Sequence, residues 1–247
     1  MQLNKYDLNW CVRRLPYAVR SMLKKESVIV AGGYIRACIL NEPINDVDLF
    51  VSDKEMAKEY ALRMVQREEK RLIITDNAIT IKGMKYPVQF ITRWTYETPE
   101  QILGSFDFTI CQACFWWEKH PNILTAPEND LPGKWCSSVS ESFYQDLSAK
   151  RLIYTNPIRE EEAGGSMLRV LKYYQKGYRI TIDSFAAVIT RLAAGVEYDD
   201  RITDIHGNLF PDQFHKIIRG LLHEVDPNID PDHIIEDARV EEDDENS

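Results

Sequence analysis

The chain has 247 residues, of which 44% are hydrophobic, 11% aromatic and 28% charged. This composition allows a sizeable core, and no apolar run approaches the roughly 20 residues that a membrane-spanning helix needs. The formal net charge is −9, but residues 224–247 contain 11 of the 39 acidic residues and one basic residue. The rest of the chain is therefore close to neutral, which neither indicates nor excludes nucleic-acid binding.

The first half of the chain alternates predicted helices and strands. Apolar residues at helical spacing predict a helix over 6–25, which Pro16 kinks or splits in two. A strand, SVIVAGG, a short helix over 34–40 and a second strand, DVDLFV, follow. Ser52 or Asp53 can cap a helix that runs to about residue 68. The segment RLIITDNAITIKGMKYPVQFITR then predicts three short strands with turns between them.

The second half of the chain is predicted to be mainly helical. A short helix over 99–104 and an apolar strand over 108–117 come first, and the proline-containing residues 118–150 are predicted to be irregular, with a helix near 140–149. Further helices are predicted over about 162–176, 182–194 and 211–224, with Gly177 and Gly195 as stop signals. We therefore expect an α+β fold with three parts. These are a mixed α/β domain over 1–150, a helical domain over 151–225 and an acidic, partly disordered tail over 226–247.

The N-terminal sequence and the cysteines predict a cytoplasmic protein. The segment MQLNKYDLNWCVRRL lacks the apolar core of a signal peptide, and an odd number of cysteines favours free thiols. Cys111 and Cys114 form a CxxC pattern, but on the predicted strand they would face opposite sides. Because the chain has no second CxxC pattern, we interpret both as core cysteines rather than as a zinc or redox site.

The segment VAGGYIRACILNEPINDVDLFV is the most informative part of the chain. Asp46 and Asp48 lie two positions apart on a predicted strand, so both carboxylates share one face and can bind Mg²⁺. Gly32 and Gly33 allow a phosphate to approach the backbone at the start of a helix. Arg36, one turn further on, can reach the same phosphate with its guanidinium.

These motifs resemble those of the polymerase β superfamily of nucleotidyltransferases. The resemblance is clearest to the head domains of bacterial-type CCA-adding enzymes (tRNA nucleotidyltransferases) and poly(A) polymerases. Their GGxVRD and DxD motifs are matched by GGYIRA at 32–37 and DVD at 46–48. Their RRDFTINA segment is similar to SFDFTICQ at 105–112, and their neck helix is similar to GSMLRVLKYYQKGY at 165–178. The resemblance covers about residues 28–178 and implies a small mixed sheet with flanking helices, followed by a helical neck.

The resemblance implies a Mg²⁺-dependent transfer of a nucleoside monophosphate from an NTP, such as ATP, to an acceptor hydroxyl. The acceptor it suggests first is an RNA 3′ end similar to that of tRNA, which would make the protein an RNA-binding, tRNA-processing transferase. Asp46 and Asp48 would be the catalytic and metal-binding residues. The residues that would bind the nucleotide are Gly32, Gly33, Arg36, Asp107 and Arg169. Asp107 could instead cap a turn, and Arg169 could form a salt bridge on its helix.

Several positions depart from the family motifs. Ser105 and Phe106 replace the two arginines before Asp107, and Gly165 and Ser166 replace the acidic pair of the neck. In the family these groups help to choose between CTP and ATP. CCA addition itself is therefore not expected, and the choice of NTP is left open.

Three alternatives remain open. The acceptor could be a protein or a small molecule, or the domain could be a degenerate head that only binds nucleotide, RNA or a partner. Ala37 in place of the aspartate of GGxVRD, and Gln89 where other superfamily members place a third carboxylate, motivate the degenerate reading. The intact DxD opposes it, because paired carboxylates repel each other without a cation. A plain α/β domain with coincidental motifs is the third alternative.

Overall fold

The computed structural model describes residues 1–65, 71–119, 132–155 and 163–195. The chain divides into two compact units, Met1–Arg159 and Glu160–Ser247. The helix predicted over 211–224 and the acidic tail lie outside the described residues. Within the described ranges, no helix combines the length and apolar character needed to span a membrane.

Among the described residues of the first unit, seven strands form one mixed sheet. The strands are β1 (Ile29–Ala31), β2 (Val47–Phe50), β3 (Leu72–Ile74), β4 (Ala78–Ile81), β5 (Val88–Ile91), β6 (Ala113–Lys119) and β7 (Gly133–Val139). Their spatial order is β3-β4-β5-β2-β1-β6-β7. β2 and β5 run parallel, whereas the other neighbouring pairs are antiparallel. The DxD strand, β2, therefore lies at the centre of the sheet.

The helices of the first unit match the predicted order. They are α1 (Lys5–Arg14), α2 (Tyr17–Lys25), α3 (Gly33–Ile39), α4 (Lys54–Val65), α5 (Pro99–Ser105) and α6 (Phe143–Ser148). Pro16 separates α1 from α2, because proline lacks an amide hydrogen and disfavours a helical residue before it. Asp53 caps α4: its Oδ1 accepts hydrogen bonds from the amides of Glu55 at 2.8 Å and Met56 at 3.0 Å. The α+β fold class is confirmed.

Two predictions for residues 108–150 are wrong. The apolar strand predicted over 108–117 begins only at Ala113, because Thr109–Cys111 form a 3-10 helix. The segment predicted to be irregular contains β7, which pairs with β6 along its whole length. Trp135 on β7 packs edge-on against Trp117 on β6, with ring centroids 5.1 Å apart. These cross-strand aromatic contacts stabilise the hairpin, although the prolines before β7 suggested irregular structure.

The core lies on both faces of the sheet. One face carries side chains of alternate strand residues that are fully buried, namely Val30, Leu49, Phe90 and Phe115. On the other face α5 contributes Ile102 and Leu103, which pack with Phe50 of β2. The short strand β8 (Arg151–Leu152) follows α6.

In the second unit the structure describes α7 (Ala163–Gln175), β9 (Arg179–Ile180) and α8 (Ile182–Gly195). The two helices agree with those predicted over 162–176 and 182–194. Gly177 has a φ of +84°, as expected for the glycine that ends α7. Tyr178 then folds back onto Tyr173 with ring centroids 5.6 Å apart.

Candidate functional site

The turn between β1 and α3 brings Gly32 next to Asp48. Ala31 pairs with Asp48 across β1 and β2, so the turn begins beside this carboxylate. Gly32 has a φ of +81°, and its amide donates to the carbonyl of Ala113 at 3.1 Å. A Cβ on Gly32 would lie 3.4 Å from Oδ2 of Asp48 and 3.1 Å from two ring atoms of Phe106. Both the backbone conformation and the close approach therefore require glycine here.

The aspartates of DxD flank the buried Val47. Asp46 directly precedes β2, Asp48 lies within it, and both residues are half-buried. In the described part of the chain, no group of three or more His, Cys, Asp or Glu residues is arranged to hold a metal. Mg²⁺ is typically held by one or two carboxylates together with water and substrate phosphates. The two aspartates fit this donor set, and their assignment as metal ligands stays a prediction.

A polar row crosses the sheet from Asp48. Asp48 pairs with Gln89 of β5, and Gln89 pairs with Thr80 of β4. Cross-strand partners point to the same face, so these three side chains lie side by side. Gln89 is 5% exposed, and its Nε2 finds no hydrogen-bond partner among the described residues. Gln89 thus stands next to Asp48 as a buried donor.

Arg36 is buried against an acidic residue that the motif does not contain. Its Nε donates to Oε2 of Glu42 at 3.4 Å, and its Nη1 lies 3.7 Å from Sγ of Cys111. A Cβ on Gly33 would lie 3.7 Å from the guanidinium. Glu42 therefore supplies a carboxylate close to the glycine turn. Ala37, which replaces the aspartate of the GGxVRD motif, supplies none. Glu42 has no recognisable signal in the sequence, because its separation of six positions from Arg36 is not a helical contact spacing.

An aromatic cluster borders Asp48 and Gly32. Phe106 packs edge-on against Phe50 with ring centroids 6.0 Å apart, and Phe50 lies 6.1 Å from the ring of Tyr96. Phe106 stands where the resembling family has an arginine. The wall beside the DxD strand is therefore apolar and aromatic instead of cationic.

Asp107 is buried in a segment that is held in place by hydrogen bonds to residues later in the chain. It is 1% exposed, and its carbonyl accepts from the amide of Thr155 at 2.9 Å. Nearby, the Thr109 hydroxyl donates to Oδ2 of Asp146 at 2.8 Å, and Arg151 donates to Oδ1 of Asp146 at 2.9 Å. This network, which no local sequence motif indicates, holds the segment that carries Phe106 and Asp107.

The predicted site residues fall in both units of the chain. Gly32, Asp48 and Phe106 come together in the first unit. Arg169 lies half-buried on α7 of the second unit, Glu160–Ser247. Its part in nucleotide binding, like that of Asp107, stays a prediction from the motif.

The cysteines near the site form no disulfides. Cys114 faces the same side of the sheet as Asp48, since both pair with Ala31, and burial raises the pKa of its thiol to about 12. Cys38 on α3 has a lowered pKa because Cys11 donates a hydrogen bond to it, although burial opposes this effect. Cys111 lies on the 3-10 helix, so the expectation that the CxxC cysteines occupy one strand is wrong. Both CxxC cysteines are nevertheless buried and outside any disulfide, as core cysteines would be.

Comparison with known proteins finds similarity to two groups of proteins, one by sequence and one by structure. Residues 2–150 match the family model of the Gabija anti-defense 2 family protein. The Gabija anti-defense 2 protein of Bacillus phage SPbetaL7 is 23% identical over 196 residues, which are 79% of this chain and 45% of the phage protein. Thermotoga maritima CCA-adding enzyme complexed with tRNA has a TM-score of 0.51 at 17% identity. A CCA-adding enzyme complexed with CTP has a TM-score of 0.54 at 18% identity.

Each of these two matches covers 90% of this chain and 50% of the CCA-adding enzyme's chain. The chain thus spans about half the length of the relatives that it matches. At such low identity the likeness shows the fold alone. The head has a nucleotidyltransferase-like fold, as the motifs predicted.

Proposed function

The chain belongs to the Gabija anti-defense 2 family, and on this premise we propose that it is a Mg²⁺-dependent nucleotidyltransferase. The family is not that of the CCA-adding enzymes, so the motif resemblance extends to the fold of the head and not to their family. The observation that carries the proposal is the position of the DxD pair. Asp48 lies on the central strand β2, next to Gly32, and Gly32 occupies a turn that only glycine fits.

In the proposed reaction an acceptor hydroxyl attacks the α-phosphorus of an NTP. The acceptor oxygen bonds to phosphorus, the bond to the bridging oxygen breaks, pyrophosphate leaves and the hydroxyl proton passes to water. Asp46 and Asp48 would hold Mg²⁺, which neutralises phosphate charge and orients the α-phosphate. Gly32 and Gly33 would let the triphosphate approach the backbone at the start of α3, and the Arg36 guanidinium next to Gly33 would bind a phosphate oxygen.

Asp107 and Arg169 are the further nucleotide contacts that the motif resemblance suggests. The aromatic wall at Phe106 supports a nucleotide choice different from that of CCA-adding enzymes. An aromatic ring can stack on any base, whereas the arginines that it replaces help to choose between bases.

The first acceptor to test is an RNA 3′ end, because the head motifs resemble those of RNA-modifying transferases. A second candidate follows from the family description, which names an anti-defense role against Gabija. Under this reading the nucleotide is transferred to a component of that defence system.

The test uses the full chain, Mg²⁺ and each of the four NTPs labelled at the α-phosphate. Total RNA and an extract of cells that carry Gabija serve as separate acceptors. Asp46→Asn and Asp48→Asn are expected to abolish labelling. Asp76→Asn is the matched control, because Asp76 is exposed in the turn before β4.

Label on RNA that both site variants lose supports the RNA acceptor. Label only on an extract protein, lost in the same variants, supports the second candidate. NTP binding without any transfer would overturn the transferase proposal and favour a head that only binds nucleotide.

A further inference from the structure

Gln89 carries a hydrogen-bond donor that the described protein does not use. β5 runs parallel to β2, and neighbouring strands lie about 4.8 Å apart. The side chains of Gln89 and Asp48 therefore lie next to each other on the same face. Only 5% of Gln89 is exposed, and its Nε2 has no partner among the described residues.

A buried amide without a partner destabilises a protein, and such groups are rare in folded domains. Asp48 does not relieve this cost, because Nε2 donates to no neighbouring carboxylate. A donor that is buried, unpaired and beside the candidate metal ligands needs an acceptor, and a bound molecule can supply one. We therefore look for the hydrogen-bond acceptor of Gln89 Nε2 in the molecule that binds at this site.

The chemistry of the amide selects the partner. Nε2 has two N–H donors and no lone pair for a metal or a proton, so it can serve neither as a Mg²⁺ ligand nor as a base. Phosphate oxygens accept hydrogen bonds only, and an anionic acceptor strengthens the bond. An amide also avoids a third negative charge beside Asp46 and Asp48, where a triphosphate must bind.

We propose that Gln89 donates a hydrogen bond from Nε2 to a phosphate oxygen of the NTP bound at Asp46 and Asp48. This inference rests on the proposed function and adds a specific contact to it. Gln89 then acts on the triphosphate, so its effect is the same for every base.

The test compares Gln89→Met with Thr80→Val in the full chain. Methionine keeps the length of the side chain and removes the donor, while Thr80 is the next polar residue of the row, one strand further from Asp48. Isothermal titration calorimetry with Mg²⁺ measures the Kd of each NTP and of inorganic tripolyphosphate, which has no base. Thermal unfolding without ligand reports whether the amide has a structural role.

We expect Gln89→Met to weaken the binding of every NTP that binds, and of tripolyphosphate, by about tenfold. Without ligand, its Tm should rise by roughly 2–4 °C, because the unpaired amide is gone. Thr80→Val should leave every Kd within about twofold of the wild-type value, the usual spread for a site without contact.

Three outcomes would overturn the inference. Unchanged affinity in Gln89→Met, while Asp48→Asn abolishes binding, would remove the Gln89 contact and leave the proposed function standing. Weaker NTP binding with unchanged tripolyphosphate binding would place the contact on base or sugar. No binding of NTP or tripolyphosphate by the wild-type protein would contradict the proposed function and the Gln89 contact together.

Discussion

Replacing Gly32 with alanine tests the close approach between the glycine turn and the DxD strand. Two independent features oppose the substitution. The backbone of Gly32 has φ +81° and ψ −144°, a conformation that residues with a side chain rarely adopt. The new Cβ would also lie 3.1 Å from the ring of Phe106 and 3.4 Å from a carboxylate oxygen of Asp48.

The magnitude follows from these two features. A non-glycine residue held in such a backbone region costs about 1–3 kcal/mol. Moving the Phe106 ring away by a few tenths of an ångström adds roughly 1 kcal/mol, because the ring packs against Phe50. We therefore expect Gly32→Ala to lower the free energy of unfolding by about 2–4 kcal/mol.

Urea unfolding followed by circular dichroism measures this change. With an m-value of about 2 kcal/mol per molar urea, the midpoint should fall by roughly 1–2 M. Gly33→Ala is the matched control, because its Cβ would meet only the Arg36 guanidinium at 3.7 and 3.8 Å. Since Gly33 begins α3, alanine there should be neutral or stabilise by up to about 1 kcal/mol.

A second variant separates the two contributions. In a Phe106→Leu background, Gly32→Ala should cost about 1 kcal/mol less, because the smaller side chain can move aside. The backbone cost should remain. Equal midpoints for Gly32→Ala and Gly33→Ala would refute the reasoning, since the two glycines would then be equivalent.

Three further predictions concern ion pairing, thiols and pH. Glu42→Ala should lower the free energy of unfolding in urea by on the order of 2 kcal/mol, because it removes a partner of the buried Arg36. Glu59→Ala, which removes one partner of an exposed ion pair, should lower it by less than about 0.5 kcal/mol. Equal losses in the two variants would contradict this prediction. In native protein at pH 8, Ellman's reagent should titrate only Cys136 rapidly, and all five thiols after denaturation; fast reaction of a second thiol would show that a buried cysteine is accessible. Burial raises the pKa of Cys114 to about 12, so the folded state keeps a proton that the unfolded thiol loses above about pH 9. Between pH 9 and 12 this one thiol should therefore lower the free energy of unfolding by up to about 1.4 kcal/mol per pH unit relative to Cys114→Ala. A Cys114→Ala variant with the same slope as the wild type would disprove this assignment.

Local sequence was enough to predict most helices and strands of the head. The predicted DxD strand corresponds to β2, which carries Asp48, whereas Asp46 directly precedes it. Glycine before a short helix identified the turn at Gly32. Such features depend on backbone geometry within a few residues, so they can be read without the tertiary structure. The hairpin partner β7 was missed, because its stabilising contacts come from β6 and not from its own sequence.

The surroundings of the site depended on long-range pairing. Gln89 neighbours Asp48 only because β5 runs parallel to β2, and Phe106 reaches Gly32 only because the segment after α5 folds over the turn. The partner of Arg36, Glu42, lies beyond the end of its helix. The sequence by itself determined where the glycine turn and the DxD strand form, because these are properties of neighbouring residues. Tertiary structure decided which side chains surround them, because strand order and register join residues that are far apart in the chain.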